Sequence, residues 1–281
     1  MKIRHWSLFF SCFLSLTFPG VISAQEVEDK VLKARRVVVL SSLSADLVAS
    51  INSDVLIGVP GTSLINNDPR YSALKRISNG RSQPSLELIL VLNPDLVIGA
   101  EGFHSRILKA LNKLGIQTLS VKVNSLDRLQ QVSRTLEELI VNAASIDSRL
   151  RQLCPSRKLS NSSTVSVLIL AGVAPKLSPG HQSWSGSLLD HFGFENSTKW
   201  LPGSSEFTGY ITMSNERLFA MNPDKVLVVN PFGDSSKVVQ SLIPFFPRLQ
   251  KSDFVAMEYY GLINPGSLSS IRSACTVLSN L

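Results

Sequence analysis

Short apolar runs alternate along the chain with segments of helical character. The runs at residues 37–40, 96–98, 165–170 and 226–229 are almost wholly apolar, as expected of strands that are buried on both faces of a sheet. Each run is followed by a polar loop and then by a segment that favours a helix, at residues 45–51, 104–114, 187–192 and 235–242. Strands that alternate with helices in this way predict an α/β protein with mostly parallel sheets.

One segment of the chain occurs twice. Residues 85–98 and 214–227 align without gaps at a constant offset of 129. The identical positions are Ser85, Glu87, Asn93, Pro94, Asp95 and Val97, which correspond to Ser214, Glu216, Asn222, Pro223, Asp224 and Val226. In each copy the Ser is suited to cap a short helix, the Glu complements the helix dipole, and the Asn-Pro pair ends the helix. The duplication predicts two similar lobes.

The segment between the two predicted lobes carries an apolar residue every three or four positions. This period extends from Leu126 to Leu153, just before Pro155, and predicts one helix about 42 Å long. We therefore predict an α/β fold of two Rossmann-like lobes with mostly parallel sheets, joined by one long α-helix. The expected parts are an N-terminal lobe at residues 35–124, a bridging helix at 125–153 and a C-terminal lobe at 163–281.

The first 24 residues have the pattern of a secretory signal peptide. Lys2 and Arg4 precede an apolar stretch, Pro19-Gly20 interrupts it, and Ala24 supplies a small residue for cleavage. The stretch is shorter than the about 20 residues that a transmembrane helix needs. We expect a cleavable signal peptide at residues 1–24 and a periplasmic location. Cys12 lies inside the apolar stretch, and whether the signal is of the lipoprotein type stays open.

The composition indicates a globular protein and argues against nucleic-acid binding. The chain has 281 residues, of which 44% are hydrophobic and 17% are charged, enough for one or two cores. The formal net charge is +7, but no run of basic residues is longer than two. A nucleic-acid surface usually gathers its positive charge into a stripe, so we expect no nucleic-acid partner.

Cys154 and Cys275 are the cysteines that remain once the signal peptide is removed. Two cysteines in an oxidising compartment are candidates for pairing. A metal site has less support, because neither cysteine has a His or another Cys nearby in the sequence. We predict a Cys154–Cys275 disulfide and no metal held directly by protein side chains.

Several motifs occur in an order that resembles one protein family. They are residues 36–41, 84–98, 188–196 and 209–216, and Asn264-Pro265-Gly266 before a C-terminal helix. The chain resembles the periplasmic solute-binding proteins of ABC importers that carry ferric siderophores, haem or vitamin B12. The resemblance implies a monomeric, non-enzymatic protein with no catalytic residues and no cofactor. Such a protein binds a small molecule between its lobes and delivers it to a dimeric ABC permease with its ATPase.

The resemblance also implies a docking role for Glu87 and Glu216. In the family, glutamates at this position of each lobe insert into arginine pockets of the permease, and Arg–carboxylate pairing supplies geometry as well as energy. The alternative is that each Glu only complements a helix dipole. That both copies keep Glu favours docking.

Ligand contacts are expected in the loops that follow the strands, at the carboxyl edges of the sheets. The candidates are Ser42, Arg81, Glu101, Phe103 and His104 in the first lobe, and Trp184, Tyr210, Phe232, Tyr259 and Tyr260 in the second. The aromatic rings suit a large planar or chelated ligand, and the alternative for each ring is a place in the core.

The identity of the ligand stays open between three classes. The vitamin B12 binders that the chain resembles carry aromatic side chains at the positions of Arg81 and Glu101, which argues against a corrinoid. Haem binders present a tyrosine from the first lobe, where this chain offers Arg81 and His104. A ferric siderophore is therefore the favoured ligand, with vitamin B12 or haem as the alternatives.

Two other classes of function are weighed against transport. The segment Gln182-Ser183-Trp184-Ser185-Gly186 faintly resembles the nucleophile elbow of a hydrolase, but neither serine has Gly both two residues before and two residues after it. The other class is a sensory binding module on the same fold, which the sequence does not separate from a transport protein.

Overall fold

The computed structural model describes residues 33–80, 82–155, 164–172, 176–201, 209–230 and 235–281. The expected signal peptide, Arg81 and Phe232 lie outside these described residues. From Lys33 to Leu281 the chain forms one compact unit. None of the helices among the described residues is long and apolar enough to cross a membrane.

The first sheet is wholly parallel, as its buried apolar runs predict. Its order is β3-β2-β1-β4-β5, and all three valines of β1 are fully buried. The strands are β1 (Val37–Val39), β2 (Leu56–Val59), β3 (Lys75–Arg76), β4 (Leu96–Ala100) and β5 (Gln117–Val121). The accompanying helices are α1 (Ser42–Asn52), α2 (Ser63–Asn66), α3 (Leu86–Val91) and α4 (Ser105–Lys113).

The connection between the sheets consists of two helices, α5 (Leu126–Leu139) and α6 (Asp147–Arg151), so the predicted single helix over residues 125–153 is wrong. Ile140 is extended and forms a β-bridge with Ala34. The N–H of Ala34 donates to Leu139 O at 2.7 Å, and the carbonyl oxygen of Ala34 accepts from Val141 N at 3.1 Å. These bonds replace helical ones where two β-branched residues weaken the helix, and Asn142 then adopts a left-handed φ of 48°.

The second sheet is mixed. Its order is β11-β10-β6-β7-β9, with β8 paired to β6. The strands β6, β8, β10 and β11 pair in parallel, whereas β7 is antiparallel to both of its neighbours. The strands are β6 (Ser166–Ala171), β7 (Leu177–Pro179), β8 (Glu195–Asn196), β9 (Tyr210–Thr212), β10 (Lys225–Val229) and β11 (Phe254–Met257). The helices are α7 (Trp184–His191), α8 (Asn215–Ala220), α9 (Ser235–Leu242), α10 (Tyr259–Leu262) and α11 (Leu268–Ser279).

The duplicated segments fold in the same way in both lobes. Ser85 and Ser214 cap α3 and α8 with their side chains. The duplicated aspartates each hold the start of a neighbouring strand: Asp95 Oδ1 accepts from Arg36 N at 2.9 Å, and Asp224 Oδ2 accepts from Ser166 N at 2.7 Å. The repeated Ser and Asp therefore have structural roles that the fold explains.

One hydrophobic core passes through both lobes. It includes residues of the first sheet, of α5, of the second sheet and of α11, among them Val39, Ile98, Leu136, Ile169, Val229 and Ile271. The last helix, α11, belongs to the C-terminal lobe by sequence and also contacts α1 of the first lobe. A disulfide joins Cys154, which follows α6, to Cys275 in α11, with a Cα–Cα distance of 5.3 Å.

A buried carboxylate connects the first lobe to the start of α11. Asp46 in α1 is 3% exposed. Its Oδ1 accepts from Arg70 Nη1 at 2.9 Å, and its Oδ2 accepts from Leu268 N at 2.7 Å. Leu268 is the first residue of α11, so the carboxylate satisfies one of the N–H groups that a helix leaves unpaired at its beginning.

We expect the substitution Asp46→Ala to lower the free energy of unfolding by about 2–3 kcal/mol, because the buried Leu268 N–H loses its charged acceptor. Urea unfolding measures this change. The control is Asp54→Ala, which removes an exposed carboxylate and is expected to change the free energy by less than ~0.5 kcal/mol. Equal stability of the two variants would contradict the role given to Asp46.

Candidate functional site

A cavity of about 520 Å³ lies at the carboxyl edge of the first sheet. Its lining includes the residues that directly follow β1, β4 and β5, together with the segment from Tyr259 to Pro265 of the second lobe. This is where open α/β sheets bind ligands, and the volume is in the range of small-molecule sites. Of the predicted ligand residues, the cavity brings together Ser42, Glu101, Phe103, His104, Tyr259 and Tyr260.

Neutral hydroxyl groups form much of the wall contributed by the first lobe. They belong to Ser41, Ser42, Ser44, Thr62, Ser78 and Ser82. Ser41 caps α1, accepting from Ser44 N at 3.2 Å and donating to Ser44 Oγ at 2.8 Å. Ser42 Oγ and Thr62 Oγ1 are 2.6 Å apart. These bonds hold the hydroxyls at the start of α1 and the hydroxyl of Thr62, just before α2, in place beside the cavity.

The charges of the described lining sum to zero. Glu101 Oε1 and Lys122 Nζ are 3.4 Å apart, and both side chains are more than half exposed. An exposed ion pair of this kind adds little to stability, but it leaves the described lining with no net charge. Lys122 was not predicted as a site residue, although its position directly after β5 is the same signal that identified Glu101 after β4.

His104 is a neutral hydrogen-bond donor at the cavity wall. The residue is 4% exposed, and its Nδ1 accepts from Ala100 N at 2.9 Å. Burial lowers the pKa of His104 to about 4. Because Nδ1 is the acceptor, the neutral ring carries its proton on Nε2. In this tautomer neither ring nitrogen offers a free lone pair to a metal ion.

The wall from the second lobe is held by the side chains of α7. Trp184 Nε1 donates to Gly261 O at 2.7 Å, and Ser185 Oγ donates to Leu262 O at 2.6 Å. Gly261 has a φ of 95°, and a β-carbon there would collide with Ser270 O in α11. The segment that carries Tyr259 and Tyr260 is therefore held in place by α7 and α11, on its side away from the cavity.

Trp184 and Tyr210 do not line the cavity. Trp184 is 4% exposed and its N–H donates to Gly261 O, so the structure places the ring in support of the wall and not among the residues that line the cavity. Tyr210 is half-buried in β9; burial first, and the nearby Tyr259 second, raise the pKa of Tyr210 to about 12. Burial is also the main reason that the pKa of Tyr259 is raised.

The serines of the hydrolase alternative have structural partners. Ser183 Oγ donates to Gly180 O at 2.6 Å and accepts from Gly186 N at 3.1 Å at the start of α7, and Ser185 is bonded to Leu262 O. Across the residues that the structure describes, no group of three or more His, Cys, Asp or Glu side chains is placed to hold a metal ion.

Glu87 and Glu216 have matching surroundings. Ser85 Oγ accepts from Leu88 N at 3.2 Å and donates to Glu87 Oε2 at 2.8 Å, while Ser214 Oγ accepts from Arg217 N at 3.3 Å. The pKa of each glutamate is lowered, first by its own backbone N–H and then by the serine hydroxyl. Both carboxylates are exposed and ionised at neutral pH.

Comparisons with known proteins agree on the fold. A family model described as periplasmic binding protein matches residues 37–257, whereas no curated protein matches the chain. An ABC transporter substrate-binding protein from Listeria monocytogenes aligns with 88% of this chain and 98% of its own at 19% identity, with a TM-score of 0.67. The periplasmic vitamin B12-binding protein of Vibrio cholerae aligns with 87% of this chain and 96% of its own at 18% identity, with a TM-score of 0.64. S. aureus IsdE complexed with haem aligns with 86% of this chain and 97% of its own at 18% identity, with a TM-score of 0.66. These likenesses confirm the predicted pair of α/β lobes.

The low pKa of His104 predicts a pH dependence of stability. Between the usual value of 6.5 and the folded value of about 4, the unfolded chain binds a proton that the folded chain does not. Stability that His104 supports is therefore lost as the pH falls through this window.

The substitution His104→Gln removes the titrating ring and keeps an acceptor for Ala100 N. We expect this variant to lose less free energy of unfolding than the wild type between about pH 7 and pH 4.5, as measured by urea unfolding at both pH values. The control is His181→Gln, at an exposed histidine, which should lose as much as the wild type. A His104→Gln variant with the same pH dependence as the wild type would contradict the burial of a neutral ring.

Proposed function

This chain belongs to the periplasmic binding protein family, and we propose that it captures a ferric siderophore in the cavity between its lobes and delivers it to an ABC importer. The family and the solved relatives are solute-binding proteins, so the chain is a substrate-binding protein and not an enzyme. Substrate-binding proteins of ABC importers work with a permease and an ATPase. We further propose that the chain is exported through residues 1–24 and acts as a monomer in the periplasm.

The observation that carries the ligand assignment is the chemistry of the cavity wall. The described lining combines neutral hydroxyls with aromatic rings and has no net charge. A hexadentate siderophore supplies all six ligands of its ferric ion, so the protein has no need to coordinate the metal. Such a chelate needs hydrogen-bonding hydroxyls and flat apolar contacts, and among siderophores this wall favours those whose ferric complexes have little net charge.

Haem fits the described wall less well. Haem carries two propionates and an iron that proteins usually ligate with a side chain. His104 was the histidine considered for this role, but its Nδ1 accepts from Ala100 N and its Nε2 carries the proton. A corrinoid is the second candidate, because its cobalt is enclosed by its own ring and also requires no protein ligand.

The contacts of Glu87 and Glu216 support a docking role. The duplicated Ser and Asp residues each hold a helix or a strand in place, whereas each glutamate projects into solvent beyond its own serine and backbone. Internal structure therefore does not require Glu at both positions. A dimeric permease with one arginine pocket on each subunit would contact the two carboxylates in equivalent ways.

A thermal-shift screen tests the ligand class. We expect an uncharged ferric hydroxamate to raise the melting temperature by mass action, and haem, cyanocobalamin and a trianionic ferric catecholate to raise it less at equal concentration. Phe103→Ala should weaken binding of the hydroxamate about tenfold, because Phe103 lines the cavity with 65% of its surface exposed.

The control is Trp200→Ala, which removes another exposed ring outside the cavity lining and should bind like the wild type. A shift with haem alone or with cyanocobalamin alone would replace the siderophore assignment by that ligand, and the absence of any shift would count against all three.

The double substitution Glu87→Ala and Glu216→Ala tests docking. Ligand affinity should stay within about twofold of the wild type, because neither residue lines the cavity. Uptake through the reconstituted permease and ATPase should collapse, since both cationic partners are left unpaired. The control is Glu138→Ala with Glu195→Ala, at two exposed glutamates elsewhere, which should transport normally. Normal uptake by the Glu87 and Glu216 variant would remove the docking role.

A further inference from the structure

The two helices that carry the docking glutamates also carry a large share of the exposed apolar side chains among the described residues. Large apolar side chains exposed among the described residues number nine, and four of them lie on α3 and α8, which have six residues each. They are Leu88, Leu90 and Val91 on α3, and Phe219 on α8. Single exposed apolar residues are ordinary, but their concentration on two short helices indicates a binding surface.

Leu90 and Phe219 occupy equivalent positions of the duplication, three residues after Glu87 and Glu216. Side chains three positions apart lie on the same face of a helix, about 5–6 Å from each other. The residue directly before each apolar side chain faces inward in both copies, since Ile89 and Leu218 are both 0% exposed. The two helices therefore present the same outward pair, a carboxylate beside an apolar side chain.

We propose that Leu90 and Phe219 are apolar anchors of the docking surface, each inserted into an apolar pocket next to the cationic site on one subunit of the permease. This inference rests on the proposed function and deepens it. It identifies the partner surface as a two-fold arrangement in which each half offers one cation and one apolar depression.

The physical reason is the weakness of ion pairs in water. A carboxylate–cation pair that remains exposed contributes little, because water and salt screen it. Apolar side chains that close around the pair exclude water and strengthen it, as the surroundings of interface hot spots do. Docking through two glutamates alone would lack this shielding, whereas the anchors beside them supply it in both lobes.

Phe219 is held in place before a partner arrives. Its ring lies 4.7 Å from that of Phe245, and Lys176 Nζ lies 5.6 Å from the Phe245 ring on the same surface. On α3 the anchor is broader, since Val91 beside Leu90 is 81% exposed. Both anchors therefore expose apolar area on a helix that is fixed by its buried side, and little side-chain conformational freedom is lost on docking.

The test measures docking of the full protein to the reconstituted permease and ATPase in lipid nanodiscs. We expect Leu90→Ser and Phe219→Ser each to weaken docking about tenfold, and the double variant by a larger factor. Phe219→Leu, which keeps an apolar side chain, should dock within about threefold of the wild type. Ligand affinity of all variants should match the wild type, because the replaced side chains lie outside the cavity, and thermal unfolding confirms that each variant is folded at the temperature of the assay.

The matched control is Leu114→Ser with Val277→Ser, which removes an exposed leucine just after α4 and an exposed valine in α11 and should leave docking unchanged. One outcome would overturn the anchor role and leave the proposed function standing. It is that the Leu90 and Phe219 double variant docks within about twofold of the wild type while the Glu87 and Glu216 variant does not dock. If the wild type itself does not dock, the proposed function fails. Equal weakening by the control pair would also overturn the anchors, because the effect would not belong to α3 and α8.

Discussion

The carboxylate of Asp46 is the constraint on which the geometry of the cavity depends. It lies in α1, the helix that also carries Ser42 and Ser44 of the cavity wall, and it binds the first N–H of α11. The second wall, from Tyr259 to Pro265, leads directly into that helix. One buried group therefore connects the elements that carry the two walls. The core that runs through both lobes and the Cys154–Cys275 disulfide hold the same arrangement, so wide opening of the lobes would expose apolar surface.

Much of the fold was predictable because burial on both faces leaves a direct record in the sequence. The valines of β1 and β10 and the serine caps of α3 and α8 need only local information. The connection between the lobes was mispredicted for the opposite reason. An apolar period reports which positions are buried, and Ile140, Ile146, Leu150 and Leu153 are indeed buried. Whether the helix continues through them depends on Ala34, whose backbone pairs with Ile140 from more than a hundred residues away.

The site shows the same division between local and tertiary information. The rule that loops after parallel strands line the ligand site found Glu101, Phe103 and Tyr260, because it depends only on where the strands end. It does not extend to Trp184, which follows the antiparallel strand β7 and whose ring N–H points to Gly261 O rather than to the cavity. The tautomer of His104 could not be predicted from the sequence either, since it depends on the N–H of Ala100, which only the folded loop brings close to Nδ1.

The duplication separates the two surfaces on which the proposed function depends. Among the described residues the cavity walls are unlike: the first lobe contributes hydroxyls from α1 and several loops, and the second contributes the segment from Tyr259 to Pro265, which α7 and α11 hold in place. A ligand without two-fold symmetry is bound well by two different walls. The exterior helices α3 and α8 are instead alike in cap, carboxylate, buried side and exposed apolar side chain. Only a partner that is itself two-fold symmetric requires equivalent contacts from the two lobes. The two cavity walls lack this equivalence, whereas the exterior surface of α3 and α8, which a two-fold symmetric permease would contact, has it.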